Sequence, residues 1–266
     1  MSLAAASVVR AAEEFVPPGP STFDLPPVFS VAGIGVTKPM LQLVLAAILV
    51  FGFFYLAIRQ RAMVPGRLQY MGEAGYSFVR NSISRDIIGQ HDFARYTPYL
   101  FALFFFLLIN NWFGSIPFIQ FPTFSRASMA YALAGLSWLI YNLAGMSRHG
   151  FFGYLKLQCV PANITGPILV LLIPLEFFSN IIVRPVTLAL RLFANMFAGH
   201  LLVILFAIGG EYLLLEGSLL VKPAGILAWV LFILITFLEL LVQFLQAYVF
   251  VLLNAMYISG AVADEH

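Results

Sequence analysis

Residues 223–258 contain a single charged side chain, Glu239. No other feature limits the fold as strongly. At 1.5 Å per residue, a helix of that length exceeds the roughly 30 Å hydrocarbon core of a bilayer. A second apolar run, 167–208, is longer still and is interrupted by Pro174 and Pro185. Both must tilt strongly, kink or break. Three shorter spans precede them, at 40–58, 96–119 and 129–146. Composition agrees, with 61% hydrophobic and 10% charged residues, against roughly 25% charged in soluble domains. The expected fold is an all-α polytopic membrane protein with about five membrane helices, the last two long and strongly tilted.

The remaining segments are read as follows. Residues 1–39 predict an irregular tail, with 40–266 as a single membrane domain. The opening SLAAASVVRAAEEF makes a poor signal peptide, because Arg10, Glu13 and Glu14 interrupt it. In the polar stretch 65–95, Leu68, Met71, Gly75, Phe78, Val79 and Ile83 recur at helical spacing, with Arg67, Glu73, Arg80 and Arg85 among them. An interfacial amphipathic helix on the membrane surface and a helix packed on protein fit equally well. SRHG and FFGYLKLQ, at 147–158, read as a basic interfacial connection. Basic residues of the short loops (Arg59, Arg61, Arg67, Arg80, Arg85, Arg95, Arg148 and Lys156) fall on one side of a five-span chain. That places the N-terminus outside and the C-terminus in the cytoplasm or matrix.

Several functions lose support. A net charge of +2 gives no reason to expect nucleic acid, and the lone Cys159 excludes an internal disulfide or a cysteine metal site. His91, His149 and His200 lie too far apart to give metal-ligand spacing, so no metal is expected. Gly33-Ile-Gly35 is too isolated to be a nucleotide loop, and no other cofactor signal occurs.

The intramembrane polar residues carry more. Stepping 100° per residue from Arg191, residues Asn180, Arg184, Thr187 and Asn195 fall within about 40°, with Glu176 near the edge. His200 falls on the opposite face. In the last span Glu239, Gln243 and Gln246 form a second polar line. An arginine at a helix centre costs about 2.5–3.5 kcal/mol on insertion scales. A structural Arg191–Glu239 ion pair would explain two of these residues and leave His200 and the glutamines unexplained. Arg, His and Glu together suggest an ion pathway, because His and Glu can relay protons while Arg stays a fixed charge. Asn110 and Asn111 could line a cavity or bond across helices.

LALRLFANMFAGHLL closely resembles subunit a of F-type ATP synthases, whose Leu-Arg-Leu-Phe-x-Asn-Met-x-Ala-Gly stretch carries an essential arginine, here Arg191. LELLVQFLQAYVFVLLNAMYISGA resembles that family's last helix, and LLINNWFGSIP its Asn-containing second span, with Asn111 as the matching asparagine. Gly114 stands where some members carry an acid. Some members carry Glu after the Ala-Gly and His in the last helix; His200 and Glu239 are the swapped arrangement of mitochondrial and some bacterial members, and the swap implies that the two side chains meet and act as one unit.

The resemblance implies the proton-conducting stator subunit of a rotary ATP synthase, which is no enzyme on its own. Its partners would be a c-ring, b-type peripheral stalk subunits, the lipid bilayer and the rest of the complex. Arg191 would face the ring carboxylates. His200, Glu239, Gln243 and Gln246 would serve the outer half-channel, and Asn195 would orient Arg191. Glu176, Asn180 and Arg184 would line the inner half-channel. The favoured location is a bacterial plasma membrane, with the mitochondrial inner membrane as the alternative. A proton-coupled secondary transporter would predict internal repeats, and none is visible. A purely structural subunit would tolerate apolar replacement of the polar stripes.

Overall fold

The structure is a computed structural model that describes residues 17–19, 26–31, 34–59, 65–116, 119, 121–160, 168–217 and 220–263. Two short strands, β1 (Phe29–Val31) and β2 (Ile34–Val36), pair antiparallel with Phe29 opposite Val36. The expected irregular tail therefore contains a hairpin. Its residues, FSV and IGV, include β-branched side chains that suit strands, which the neighbouring prolines obscured. Residues 1–16 lie outside the described residues.

Helix α1 spans Lys38–Arg59, with Pro39 in its first turn, where a missing N–H costs nothing. Helix α2 (Arg67–Val79) continues through a π-turn, Arg80–Arg85, and a single turn, Asp86–Ile88, that stops at Gly89 with φ of 93°. The two readings of this stretch each describe one half. Leu68, Tyr70 and Met71 of α2 are exposed, as on a surface helix, whereas Val79 and Ile83 are buried in the core.

Helix α3 (Phe93–Trp112) ends before the expected 119, because Gly114 and Pro117 follow its last turn. Helix α4 (Ala127–Cys159) is longer than expected and reverses direction at Gly150, with φ of 71°. The 147–158 connection is thus helical, and its 151–159 arm folds back onto 127–149. A Cβ at Gly145 would overlap the Tyr154 ring, so this glycine sets how closely the arm packs. Replacing Gly145 with valine is expected to cost about 1–3 kcal/mol through overpacking. The temperature at which the detergent-solubilised protein loses monodispersity should fall by several degrees.

Helix α5 (Leu169–Phe178) runs through a π-turn, Ser179–Val183, into α6 (Arg184–Leu215), and α7 (Lys222–Val262) completes the chain. Five helical stretches are long and apolar enough to cross a membrane: α1, α3, α4, the continuous 169–215 and α7. With 32 and 41 residues, α6 and α7 measure about 48 and 61 Å, more than the hydrocarbon thickness, so they must tilt.

Helices α6 and α7 form the antiparallel pair on which the rest is built. Small residues bring them together: a Cβ at Gly210 would lie 2.9 Å from Trp229 Cδ1, and one at Gly225 would lie 2.8 Å from Leu214 Cγ. Helices α3 and α4 pack against this pair, and α1 lies outside α3. The core joins Leu100, Phe104 and Leu107 of α3, Ala134 and Tyr141 of α4, Leu188, Leu192 and Met196 of α6, and Phe250, Val251 and Ile258 of α7. Large apolar side chains cover the outside, including Ile48 and Phe51 of α1 and Phe237 and Leu241 of α7. In lipid such exposure carries no hydrophobic penalty.

Candidate functional site

Position along the α6–α7 pair decides which polar side chains meet. His200 of α6 and Glu239 of α7 are both about 8% exposed, and Nδ1 lies 4.0 Å from Oε1. That separation is beyond a direct hydrogen bond. Gly199 permits the approach, since a Cβ there would lie 3.3 Å from Glu239 Oε1. A pocket of about 130 Å³ beside them is lined by Asn195, Gly199, Glu239 and Gln243, among others. Asn195, Glu239 and Gln243 supply polar groups in an otherwise mostly apolar lining, and its volume suits a few water molecules.

One turn further along α7, Gln243 is fully buried. Its backbone carbonyl accepts a hydrogen bond from Asn111 Nδ2 at 3.0 Å, and its side-chain Oε1 accepts one from Ser115 Oγ at 3.1 Å. Asn111 therefore bonds across helices rather than standing free in a cavity. Ser115 is a member of the cluster that sequence reasoning passed over. The search for an acid at position 114 stopped at Gly114, one residue short of it. Gln246 Oε1 accepts a hydrogen bond from Asn195 Nδ2 at 3.4 Å. The polar line of α7 thus faces α6 and α3.

Arg191 is placed differently. It is exposed on the outer face of α6, with Thr187, Ala194, Ala198 and Leu202 exposed along the same face. Among the described residues it has no hydrogen bond or ion pair. Leu238, Leu241 and Leu245 of α7 add apolar surface on the outside of the pair. A guanidinium thus stands in an apolar, small-residue face with no partner from its own chain.

The expected single stripe from Glu176 to Asn195 is corrected in part. Arg184 lies 5.2 Å from the Tyr257 ring centroid in cation–π contact, and Arg184, Thr187, Arg191 and Asn195 share regular α-helix. Asn180 does not continue that line. It is buried, and its Nδ2 donates to the Gln158 carbonyl at 2.7 Å and to Glu176 Oε2 at 3.2 Å. The cause is the π-turn at Ser179–Val183. Its wider turn takes an extra residue, which rotates everything upstream by about 100° relative to a uniform helix. Two clusters result, Glu176–Asn180 with the 151–159 arm and His200–Glu239–Gln243 with α3, and Arg191 stands between them in sequence. Among the described residues no group of three or more His, Cys, Asp or Glu side chains could hold a metal ion.

Comparison with known proteins decides the family. The ATP synthase A chain family matches residues 40–259. The chain belongs to this family. It is 70% identical to ATP synthase subunit a of Nocardioides sp., over 98% of this chain and 99% of that one. The subunit a proteins of Pseudarthrobacter chlorophenolicus and Streptomyces lividans are 48% and 42% identical, over 95% and 86% of this chain and 96% and 80% of theirs. The chain is accordingly a multi-pass membrane subunit of an ATP synthase complex, part of the machinery of ATP synthesis and ion transport.

Proposed function

We propose that the chain is the proton-conducting stator subunit of a rotary ATP synthase, with Arg191 as the fixed charge between two half-channels. The observation that carries this is the exposure of Arg191 on an apolar face without an intrachain partner. A charge there is costly against lipid. It is stabilised when a neighbouring subunit presents a carboxylate to it. The small side chains of Thr187, Ala194 and Ala198 let a neighbouring helix come close. A ring of c subunits, each with one mid-membrane carboxylate, fits that face.

In this reading protons from the outer side pass Gln243, Glu239 and His200 to a ring carboxylate and leave by the Glu176–Asn180 side after the ring has turned. Gln246 holds Asn195, which keeps the approach to Arg191 hydrated and oriented. Asn111 and Ser115 fix Gln243. Arg184 lines the inner side. Arg191 attracts a ring carboxylate that has lost its proton and repels a proton crossing directly, and it cannot itself deprotonate. The N-terminus is outside and the C-terminus cytoplasmic, in accord with the basic loops. The relatives named above favour a bacterial plasma membrane. The further partners are b-type peripheral stalk subunits.

Purification through a tag on this chain, in mild detergent, tests the assignment. A c-ring should co-purify at one ring per chain. Recovery of the folded chain in a stable complex that lacks the ring would contradict it.

A further inference from the structure

A second buried polar cluster lies where the 151–159 arm of α4 meets the α5–α6 junction, and its centre is a residue the reading above does not use. Tyr154 is 5% exposed. Its hydroxyl donates to Asn142 Oδ1 at 3.0 Å and accepts from Gln158 Nε2 at 2.8 Å. The Gln158 backbone carbonyl accepts from Asn180, and the same amide nitrogen donates to Glu176. Asn142 is held in turn by its own bond to the Trp138 carbonyl at 2.7 Å. One hydroxyl therefore ties the returning arm to the 127–149 limb of α4 and braces Gln158 within the arm, whose backbone carbonyl seats Asn180.

We propose that Tyr154 is a positioning residue of the inner half-channel, holding the Glu176 carboxylate in place through Gln158 and Asn180. The inference rests on the half-channel reading. Its physical basis is that the ring and the hydroxyl of Tyr154 do separate jobs. The ring fills the space left by Gly145, which has no room for a side chain. The hydroxyl accepts and donates at once, and it meets an amide N–H on one side and an amide oxygen on the other. Without it, Gln158 and Asn142 lose a shared partner in a site where an unsatisfied polar group is costly. The arm is then free to shift, and Asn180 loses its fixed acceptor.

The test is passive proton conduction through membrane vesicles stripped of the soluble sector, with ring retention measured in parallel. Tyr154→Phe should keep the ring bound and conduct about five- to tenfold less, the loss expected from one buried hydrogen bond. Asn180→Leu should lose at least as much. The double variant should conduct no less than Asn180→Leu alone, because Tyr154 acts through Asn180. Conduction equal to the parent's in Tyr154→Phe, or a double variant whose loss is the product of the single losses, would overturn the assignment. If Tyr154→Phe fails to assemble, Gln158→Leu leaves the ring packing and the bond to Asn142 in place. The same loss is expected there, and parental conduction overturns the proposal. An Arg191→Ala control, read as ATP-driven pumping in vesicles that keep the soluble sector, separates the two claims. Intact coupling in it defeats the half-channel reading as a whole, whereas loss there with parental conduction in Tyr154→Phe defeats only the role of Tyr154.

Discussion

Arg191→Ala is expected to reduce ATP-driven proton pumping in the assembled complex by at least about 100-fold, because a buried carboxylate deprived of its partner costs about 3–5 kcal/mol. The geometry allows this effect to be separated from misfolding. Arg191 is exposed and makes no hydrogen bond or ion pair with its own chain among the described residues. Its removal also eliminates an insertion cost of about 2.5–3.5 kcal/mol. The variant chain should therefore enter the membrane and bind its partners normally. Lysine should not rescue it, since an ammonium in apolar surroundings can lose its proton, whereas a guanidinium keeps its charge. Dye-quench assays of pumping in inverted vesicles, alongside immunoblots for assembly, would read both outcomes. Pumping at the parental rate in Arg191→Ala would return this residue to an ordinary membrane-facing arginine.

The pair His200 and Glu239 gives the second large effect. Each is buried, their polar atoms stand 4.0 Å apart, and Glu239 lines a pocket of about 130 Å³. His200→Ala and Glu239→Leu should each reduce pumping by about tenfold or more, because buried polar partners couple strongly. Exchange of the two, His200→Glu with Glu239→His, keeps one imidazole and one carboxylate in the same space. It should recover at least about tenfold over the product of the two single exchanges, within the coupling range of neighbouring residues. Independent losses in the double variant would mean that the two side chains do not act as one unit. Gln243→Ala should have a smaller effect of the same sign, through the lost bond from Ser115.

Apolar length made the spans legible. Residues 40–58 anticipate α1 at Lys38–Arg59, and 223–258 anticipates α7 at Lys222–Val262, because the bilayer demands such lengths directly. The breaks were less legible. A uniform 100° step placed Asn180 beside Arg191, but the π-turn at Ser179–Val183 turned it toward Gln158. Ser-Arg-His-Gly reads as the start of an interfacial connection. Gly150 instead lets helix continue after a reversal, which a sequence cannot distinguish from a loop. For the same reason Tyr154 was invisible, since its partners Asn142 and Gln158 face it only after the chain folds back. A helical wheel gives relative angles and no reference to neighbours, so the outward aspect of Arg191 came only from the family resemblance, which implies that it faces the ring. The approach of His200 to Glu239 came with the family resemblance, and spacing alone would not have paired them.

Thiol labelling reads whether the two sides of Arg191 open to opposite faces of the membrane. The chain has one cysteine, Cys159, which is buried, so a Cys159→Ala background removes background reaction. In that background Glu239→Cys and Glu176→Cys are made separately in the intact complex. Each is exposed to a small membrane-impermeant thiol reagent in right-side-out and in inverted vesicles. Glu239→Cys should react only from the outer face and Glu176→Cys only from the cytoplasmic face. Reaction of both positions from the same face would contradict the half-channel reading.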